Sequence, residues 1–237
     1  SALTVNKVRT SLTMLGIIIG IGSVIAMVAI GQGAQSSIAS RIESIGSNLI
    51  IVSPGAQRGT GVTVSAGQGS SQSLTMSDVE ALRQETTLVK AIDAELSRRY
   101  QITAKGTNTN TQVIGTDSNY SAVRNVQMDN GSFITDQQVK DLAKVAVIGP
   151  TVRDDLFGAG ANAIGQTIKI NKIAFKIIGI TQTKGGSGFT NQDDIVFIPI
   201  SVAQHYLVGL NADGQPYVSN ISISAQSSTD MATVQEQ

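Results

Sequence analysis

The chain has 237 residues, and its 17 Lys and Arg balance 17 Asp and Glu, so the formal charge is zero. That balance argues against nucleic acid as a partner, and the absence of cysteine excludes disulfides, thiolate metal sites and cysteine nucleophiles. Only 14% of residues are charged and 4% aromatic, with 24 Gly and many Ser, Thr, Asn and Gln, a composition compatible with β-rich extracytoplasmic domains.

The length suits one or two domains. The chain opens on Ser1, not Met, and stops just after a helix-start signal at Thr229 and Asp230, so the expectation is a piece of a longer protein. Residues 1–10 read as a cytoplasmic lead-in. No charged side chain occurs from Thr10 to Ser40, and Leu12 to Ile30 is almost wholly apolar. At 1.5 Å per residue, about 19 helical residues cover the roughly 30 Å hydrocarbon core of a bilayer. The stretch therefore reads as a transmembrane helix over 11–31. A buried core helix is usually shorter or carries a polar face. A signal peptide with Lys7 and Arg9 as its basic region, cleaved after Ala29-Ile30-Gly31, has a shorter apolar run. A strand of this length is ruled out by ordinary strand dimensions. Lys7 and Arg9 precede the span and the next basic residue is Arg41, which places the N-terminus in the cytoplasm and the rest outside.

Gly16 and Gly20 form a G-x-x-x-G pair, with Gly22, Thr13 and Ser23 nearby. Small residues at that spacing let a second helix approach closely in lipid. The bland alternative is a neutral or kinking glycine, since Gly is common in membrane helices. From Gly33 onward Ala34, Ile38, Ile42 and Ile45 recur at three to four residues, which predicts a stalk helix over 32–46 continuous with the span. Gly46 ends it. Such a rod would carry a push or tilt from the bilayer outward.

Asn48–Ser53 is a short buried strand closed by Pro54-Gly55, and Ala56–Ser73 a flexible Gly/Ser/Thr/Gln loop. Thr75 with Asp78 caps a helix to about Glu85, Val89–Thr103 is extended, and Thr111–Gly115 is a strand. Thr135-Asp-Gln-Gln138 resembles a capping box opening a helix to Leu142. Val145–Gly149 is a buried strand, and Pro150 starts a short helix through Phe157. Thr167–Asn171 and Ala174–Ile180 form a hairpin turning at Asn171-Lys172. Lys184–Asn191 is a Gly-rich loop, Asp194–Ile198 a strand, and Pro199 starts a helix to about Leu207. Asn211–Gly214 is a turn and Tyr217–Ala225 a strand. Helices and strands alternate irregularly with hairpins, which makes the fold class α+β.

Searches for chemistry give little. There is no G-x-x-x-x-G-K-[ST], no G-x-G-x-x-G after a strand and no G-x-S-x-G. The one histidine, His205, reads as structural. Asp154-Asp155 and Asp193-Asp194 suggest capping or turns over a cation site. Lys184-Gly-Gly-Ser-Gly188 reads as a linker in preference to an anion cradle. No catalytic, cofactor or metal residues are assigned.

The block N-K-x-R-T-x-L-T-x-L-G-I-x-I-G-I at Asn6–Ile21, running on to Val24-Ile-Ala26 and Gly31, closely resembles the first transmembrane helix of the MacB-type ABC transporter permeases. Later blocks follow in the family's order: Leu74-Thr75 with Asp78, Val113–Asp117 with Tyr120 and Val123-Arg124, Gly131 with Phe133, Val145–Gly149 with Leu156-Phe157-Gly158, Gly165-Gln166 with Ile168, Phe175 with Gly179, and Ile198-Pro199. The resemblance covers essentially the whole chain.

It implies a permease of four membrane helices with a large extracytoplasmic domain after the first. That domain would comprise a porter-like subdomain, here 47–97 and 216–237, and a smaller inserted one, 98–215. It implies a homodimer working with a cytoplasmic ABC ATPase and an extracytoplasmic adaptor protein, and relaying ATP-driven closure outward for efflux of drugs, peptides or lipoproteins. It implies no cofactor and no enzymatic role for this segment. The residues singled out are mechanical: Gly16, Gly20 and Gly22 for helix packing, Ile38, Ile42 and Ile45 for stalk coupling, Lys7 and Arg9 for orientation. An FtsX-like permease that regulates a cell-wall hydrolase, or a passively tethered binding module, are the rival readings.

Overall fold

The computed structural model describes residues 7–45, 48–55, 72–187, 190–227 and 230–236. These fall into two units, residues 1–44 and 45–237. The first is one helix, α1 (Lys7–Ile45), 39 residues without interruption. It contains no proline, and its glycines are outnumbered by Leu, Ile, Met and Ala, so nothing in the sequence breaks the hydrogen-bond ladder. No break separates residues 11–31 from 32–45. Gly46, the expected terminator, and residues 56–71 of the expected loop lie outside the described residues.

The second unit begins with β1 (Leu49–Val52), α2 (Met76–Glu85), β2 (Val89–Ala104), β3 (Thr107–Thr116), α3 (Tyr120–Val123), β4 (Met128–Gly131) and α4 (Asp136–Lys140). It continues with β5 (Val145–Ile148), α5 (Pro150–Phe157), β6 (Thr167–Ile170), β7 (Ile173–Thr181) and a small hairpin, β8 (Gly186–Ser187) with β9 (Thr190–Asn191). Last come β10 (Ile195–Pro199), α6 (Ile200–Val202) running into a π-helical turn Ala203–Val208, β11 (Asn220–Ala225) and α7 (Met231–Glu236). Four short elements had no signal in the sequence, α3, β4 and the strands β8 and β9 within the expected Lys184–Asn191 loop, and β3 is about twice its expected length. The helix expected after Pro199 changes winding at Ala203.

Strand β2 organises this unit because it takes part in two arrangements. Its first half pairs with β11, from Val89↔Ala225 to Glu95↔Asn220, and β11 pairs on its other side with β1, all antiparallel. Its second half pairs with β3, from Leu96↔Gly115 to Ala104↔Thr107. From β3 the pairing continues through β10 (parallel), β5 (antiparallel), β7 (parallel) and β6 (antiparallel). Strand β6 then returns to β2 at Ile102↔Ile170 and Thr103↔Lys169. Six strands thus close a ring, which removes the unpaired edges an open sheet would expose.

The ring's interior is filled by alternate residues, as strand geometry requires. Ile102, Val113, Ile148, Ile168, Ile170, Phe175, Ile177, Val196 and Ile198 are all almost wholly buried. Helix α5 touches β2, β3, β7 and β10 and adds Val152 and Leu156 to the same core. A second apolar cluster lies on the ring's outer face. Ile114, Val147 and Phe197, offset by one residue from the inward set, pack under Tyr120 and Ile134. The Phe197 ring sits 4.9 Å from that of Tyr120 and 5.5 Å, edge-on, from that of Phe133. Gly131 closes β4 against β7 with φ +78°, and a Cβ there would lie 2.2 Å from the Ile178 carbonyl, so only glycine fits.

Candidate functional site

Two features separate this chain from an ordinary folded domain. The first is the surface of α1. From Arg9 to Ser36 the helix is long and apolar enough to cross a membrane, and none of it is buried in the chain. Ile18 is 66% exposed and Met27 75%. A Cβ built on Gly16, Gly20 or Gly22 meets nothing within 4 Å, so the small face is open. Two hydroxyls within this stretch are satisfied by the helix itself. Thr13 donates to the carbonyls of Arg9 and Thr10, at 3.1 and 2.9 Å, and Ser23 to that of Gly20 at 2.8 Å. That arrangement is what an apolar surrounding demands, because no water is there to satisfy a free hydroxyl. Arg9 is exposed and Ile38 is 59% exposed. The side chains of Lys7, Ile42 and Ile45 lie outside the described residues.

The second feature is a polar network where β2 passes from the β1–β11–β2 sheet into the ring. The register places Asp93, Glu95 and Ser222 on one face of that sheet. All three are buried. Helix α3 covers this face, while Ile92, Ala94, Ile221 and Ile223 point the other way, into the core shared with Val79 of α2 and Val234 of α7. Arg124, just after α3, donates from Nε and Nη2 to Glu95 Oε1 at 2.9 and 2.7 Å, and from Nη2 to Ser222 Oγ at 3.0 Å. Ser222 in turn donates to the same Glu95 oxygen. A charged carboxylate survives burial because the guanidinium and hydroxyl compensate it.

Asp93 is handled differently. Its Oδ1 accepts from Thr116 Oγ1 at 2.6 Å and from the Asp117 N–H at 3.3 Å. Its Oδ2 is buried with no partner among the described residues. Burial first, then the neighbouring Asp117 charge, push this carboxyl well above the usual carboxylate range. Burial and the neighbouring carboxylate thus favour the protonated form of Asp93, which places no unpaired negative charge on the buried Oδ2. Asp117, by contrast, is fully partnered: it accepts from Arg83 Nη2 of α2 at 2.5 Å and from the Asn119 N–H at 2.8 Å. Arg83 also donates to the Ile92 carbonyl at 3.3 Å. Burial, and then the Glu95 charge, raise the Tyr120 phenol as well. The network therefore ties α2, β2, the end of β3, α3 and β11 into one body. No group of three or more metal-ligating side chains occurs among the described residues.

The other sequence candidates find ordinary places. The Lys184 and Gly185 N–H groups do cradle an anion, but it is the protein's own: both donate to the Asp193 carboxylate, at 2.8 and 3.0 Å. Asp154 accepts from Arg153 and from the Gly160 N–H, and Asp155 from Thr109, so neither Asp pair converges. His205 is exposed beside Tyr206, ring centroids 4.5 Å apart. The Asp93–Glu95–Arg124 network was not singled out from sequence as a site. The available signal was the run Ile92-Asp-Ala-Glu-Leu96, two carboxylates at period two inside an apolar strand.

Residues 10–237 match the family described as the MacB-like periplasmic core domain. The chain is 37% identical over 234 residues to the macrolide export ATP-binding/permease protein MacB of Bdellovibrio bacteriovorus, covering 99% of this chain and 35% of that protein. It is 38% identical to the MacB protein of Chlorobium luteolum, covering 94% and 32%. It thus spans about a third of the length of these relatives. The fold is similar to the periplasmic region of MacB from Actinobacillus actinomycetemcomitans, with TM-score 0.63, 20% identity, and 82% and 84% of the two chains covered. It is also similar to the extracellular domain of the transporter YknZ from Gram-positive bacteria, with TM-score 0.60, 16% identity, and 79% and 88% covered. An apolar N-terminal helix followed by a mixed α/β, strand-rich domain of this architecture, matched over nearly its full length, places the chain in the MacB-like periplasmic core domain family.

Proposed function

We propose that this chain is the first membrane helix, stalk and extracytoplasmic domain of an ABC-type export permease, and that its role is mechanical. The observation that carries this reading is the length of α1. Its 39 unbroken residues would measure about 58 Å, nearly twice the roughly 30 Å hydrocarbon core of a bilayer. A helix that crosses lipid and continues as a rod moves as one piece, so a tilt imposed at the membrane reaches its far end. Lys7 and Arg9 hold the N-terminus in the cytoplasm, and residues after about 31 lie outside the plasma membrane.

The change of pairing along β2, near Glu95 and Leu96, supports a division of the head into a porter-like part, 47–97 with 216–237, and an inserted part, 98–215. The network around Asp93, Glu95 and Arg124 sits at that joint and makes the two parts respond together. The ATPase belongs to another domain or subunit, this segment performing no catalysis. The relatives' name, macrolide export ATP-binding/permease protein, supports a coupled ATP-binding function and export of macrolides; we extend this to efflux of drugs, peptides or lipoproteins, a cytoplasmic ATPase, a second permease copy packing on Gly16, Gly20 and Gly22, and an extracytoplasmic adaptor. Ile38, Ile42 and Ile45 form the coupling stripe of the stalk.

The test uses the full-length parent protein. Gly16→Leu and Gly20→Leu close the small face, and a flexible Gly-Ser insertion after Gly33 uncouples the rod. Export falls in all three while ATP binding and membrane localisation persist. Wild-type export from the insertion variant would remove the mechanical reading.

A further inference from the structure

The ring carries a cavity that nothing in the export reading uses. Pairing between β2 and β6 stops at Ile102↔Ile170, while β2 continues back through Gln101 and Tyr100 and the chain turns at Asn171-Lys172. The two therefore splay, and between them lies a space of about 340 Å³ lined by Tyr100, Gln101, Thr103, Lys169, Asn171 and Lys172. Both turn residues adopt left-handed φ, +47° at Asn171 and +69° at Lys172, as the two-residue hairpin requires. That tight turn fixes where the Lys172 ammonium can reach.

The lining is chemically one-sided. It holds two ammonium groups, two amides, the Thr103 hydroxyl and the Tyr100 phenol, and no carboxylate. Tyr100 is the only member with a recorded side-chain partner among the described residues: its hydroxyl donates to the Leu207 carbonyl at 3.1 Å, which locks the ring in place. The sheet around the cavity repeats the pattern. Outward positions of β2, β3, β6 and β7 near it are Gln101, Thr103, Asn108, Asn110, Thr167 and Lys176, again with no acid among them. In a chain of zero net charge this is a local surplus of cation and hydrogen-bond donor.

We propose that this cavity binds the phosphate-bearing sugar unit of a phosphorylated saccharide, presented either free or as the headgroup of a glycolipid. Lysine is a point-charge partner for phosphate. Amides and a hydroxyl donate to and accept from sugar hydroxyls. The volume lies at the low end for ligand pockets, room for one sugar unit. A protein partner fits worse, because protein interfaces are enriched in aromatics, Met and Arg and depleted in Lys. A nucleic acid strand would need a series of exposed aromatic platforms, and this wall has a single ring, Tyr100, tied by its hydroxyl to the Leu207 carbonyl. The proposal goes beyond the export reading and does not rest on it.

The test uses the full chain in uncharged detergent, titrated by calorimetry with glucose 6-phosphate, glucose, inorganic phosphate and a poly-glutamate peptide, and separately with uncharged nanodiscs with and without lipid A. Glucose 6-phosphate, lipid A or both bind, and binding weakens with added salt. The pair Lys169→Ala/Lys172→Ala weakens it by about tenfold or more, the loss expected when charge-assisted bonds are removed. Lys140→Ala, exposed on α4, changes nothing. Binding by the free sugar phosphate alone, or by lipid A alone, tells the two sources apart. The proposal is overturned if neither phosphorylated sugar binds, if the double variant binds as tightly as wild type, if glucose or inorganic phosphate alone matches glucose 6-phosphate, or if poly-glutamate binds more tightly.

Discussion

Helix α1 and the joint at β2 satisfy their polar groups in opposite ways. In α1 Thr13 and Ser23 bond to carbonyls three or four residues back. At the joint the partners are remote in sequence: Arg124 reaches Glu95, 29 residues away, and Ser222, 98 residues away. These two hydroxyls of the apolar stretch need no partner beyond the helix, whose exposed side chains call for an apolar surrounding. The joint depends on distant segments meeting, so it reports whether the head is correctly assembled. Damage to one should leave the other intact, and that independence can be broken or sharpened experimentally.

The largest effect falls at the joint. Arg124→Ala leaves Glu95, 4% exposed, as an unpaired buried charge, and should cost the head about 3–5 kcal/mol. A denaturation midpoint of the head measures it, while membrane integration of α1 stays unchanged. An unchanged midpoint would mean the pair is not buried in the folded protein. Next comes the reverse experiment. Ile18→Arg puts a charge in the middle of the apolar span and should cost integration about 2.5–3.5 kcal/mol. Carbonate extraction reads this as a soluble fraction, with the head's midpoint unmoved. If a water-exposed helix were the truth, the same change would do nothing.

A subtler effect concerns Asp93. Its pKa is raised in the folded head, so folding takes up a proton there. The stability this group contributes is fully present below the unfolded carboxylate value near 3.9 and is lost as pH rises through the raised folded value. Asp93→Asn keeps the shape, keeps an acceptor for Thr116 and supplies N–H donors where the acid supplied O–H. The variant should unfold at a higher midpoint than wild type at pH 8, with the difference shrinking at pH 5. A wild-type stability that climbs between those pH values and a variant that does not would reverse the assignment. The smallest effect is at the α4 cap. Thr135 Oγ1 accepts from the Gln138 N–H at 3.3 Å and Gln138 returns a bond to the Thr135 N–H at 3.0 Å. Thr135→Ala should cost about 1 kcal/mol in the same midpoint.

Local rules made much of this legible in advance. The apolar span, the capping box at Thr135, the Pro150 helix start and the Asn171-Lys172 hairpin each depend on neighbours within a few residues. The ring does not: its closure rests on Ile102↔Ile170, a pairing between residues with no local signal for each other. The same reason hid α3. Its four residues are too few for a period, and they are placed by Asp117 accepting from the Asn119 N–H and by Tyr120 packing on Phe197. Asp93 and Glu95 look like exposed strand residues until β11 supplies Ser222 and α3 covers them. Lys184–Gly188 read as a linker in preference to an anion cradle; its N–H groups hold Asp193, a partner that only the fold supplies.

The central claim is that α1 lies in lipid with the head on the outer side of the plasma membrane. These 237 residues have no cysteine, so in a full-length parent cleared of any cysteine elsewhere a single introduced one reports its own side of the membrane. Thr4→Cys and Gln127→Cys, expressed separately in the full-length parent, are exposed to a membrane-impermeant maleimide before and after lysis, with the outer membrane permeabilised where one exists. The account predicts that Gln127→Cys labels without lysis and Thr4→Cys only after it. Equal labelling of both without lysis, or a Gln127→Cys that reacts only in the lysate, would contradict it.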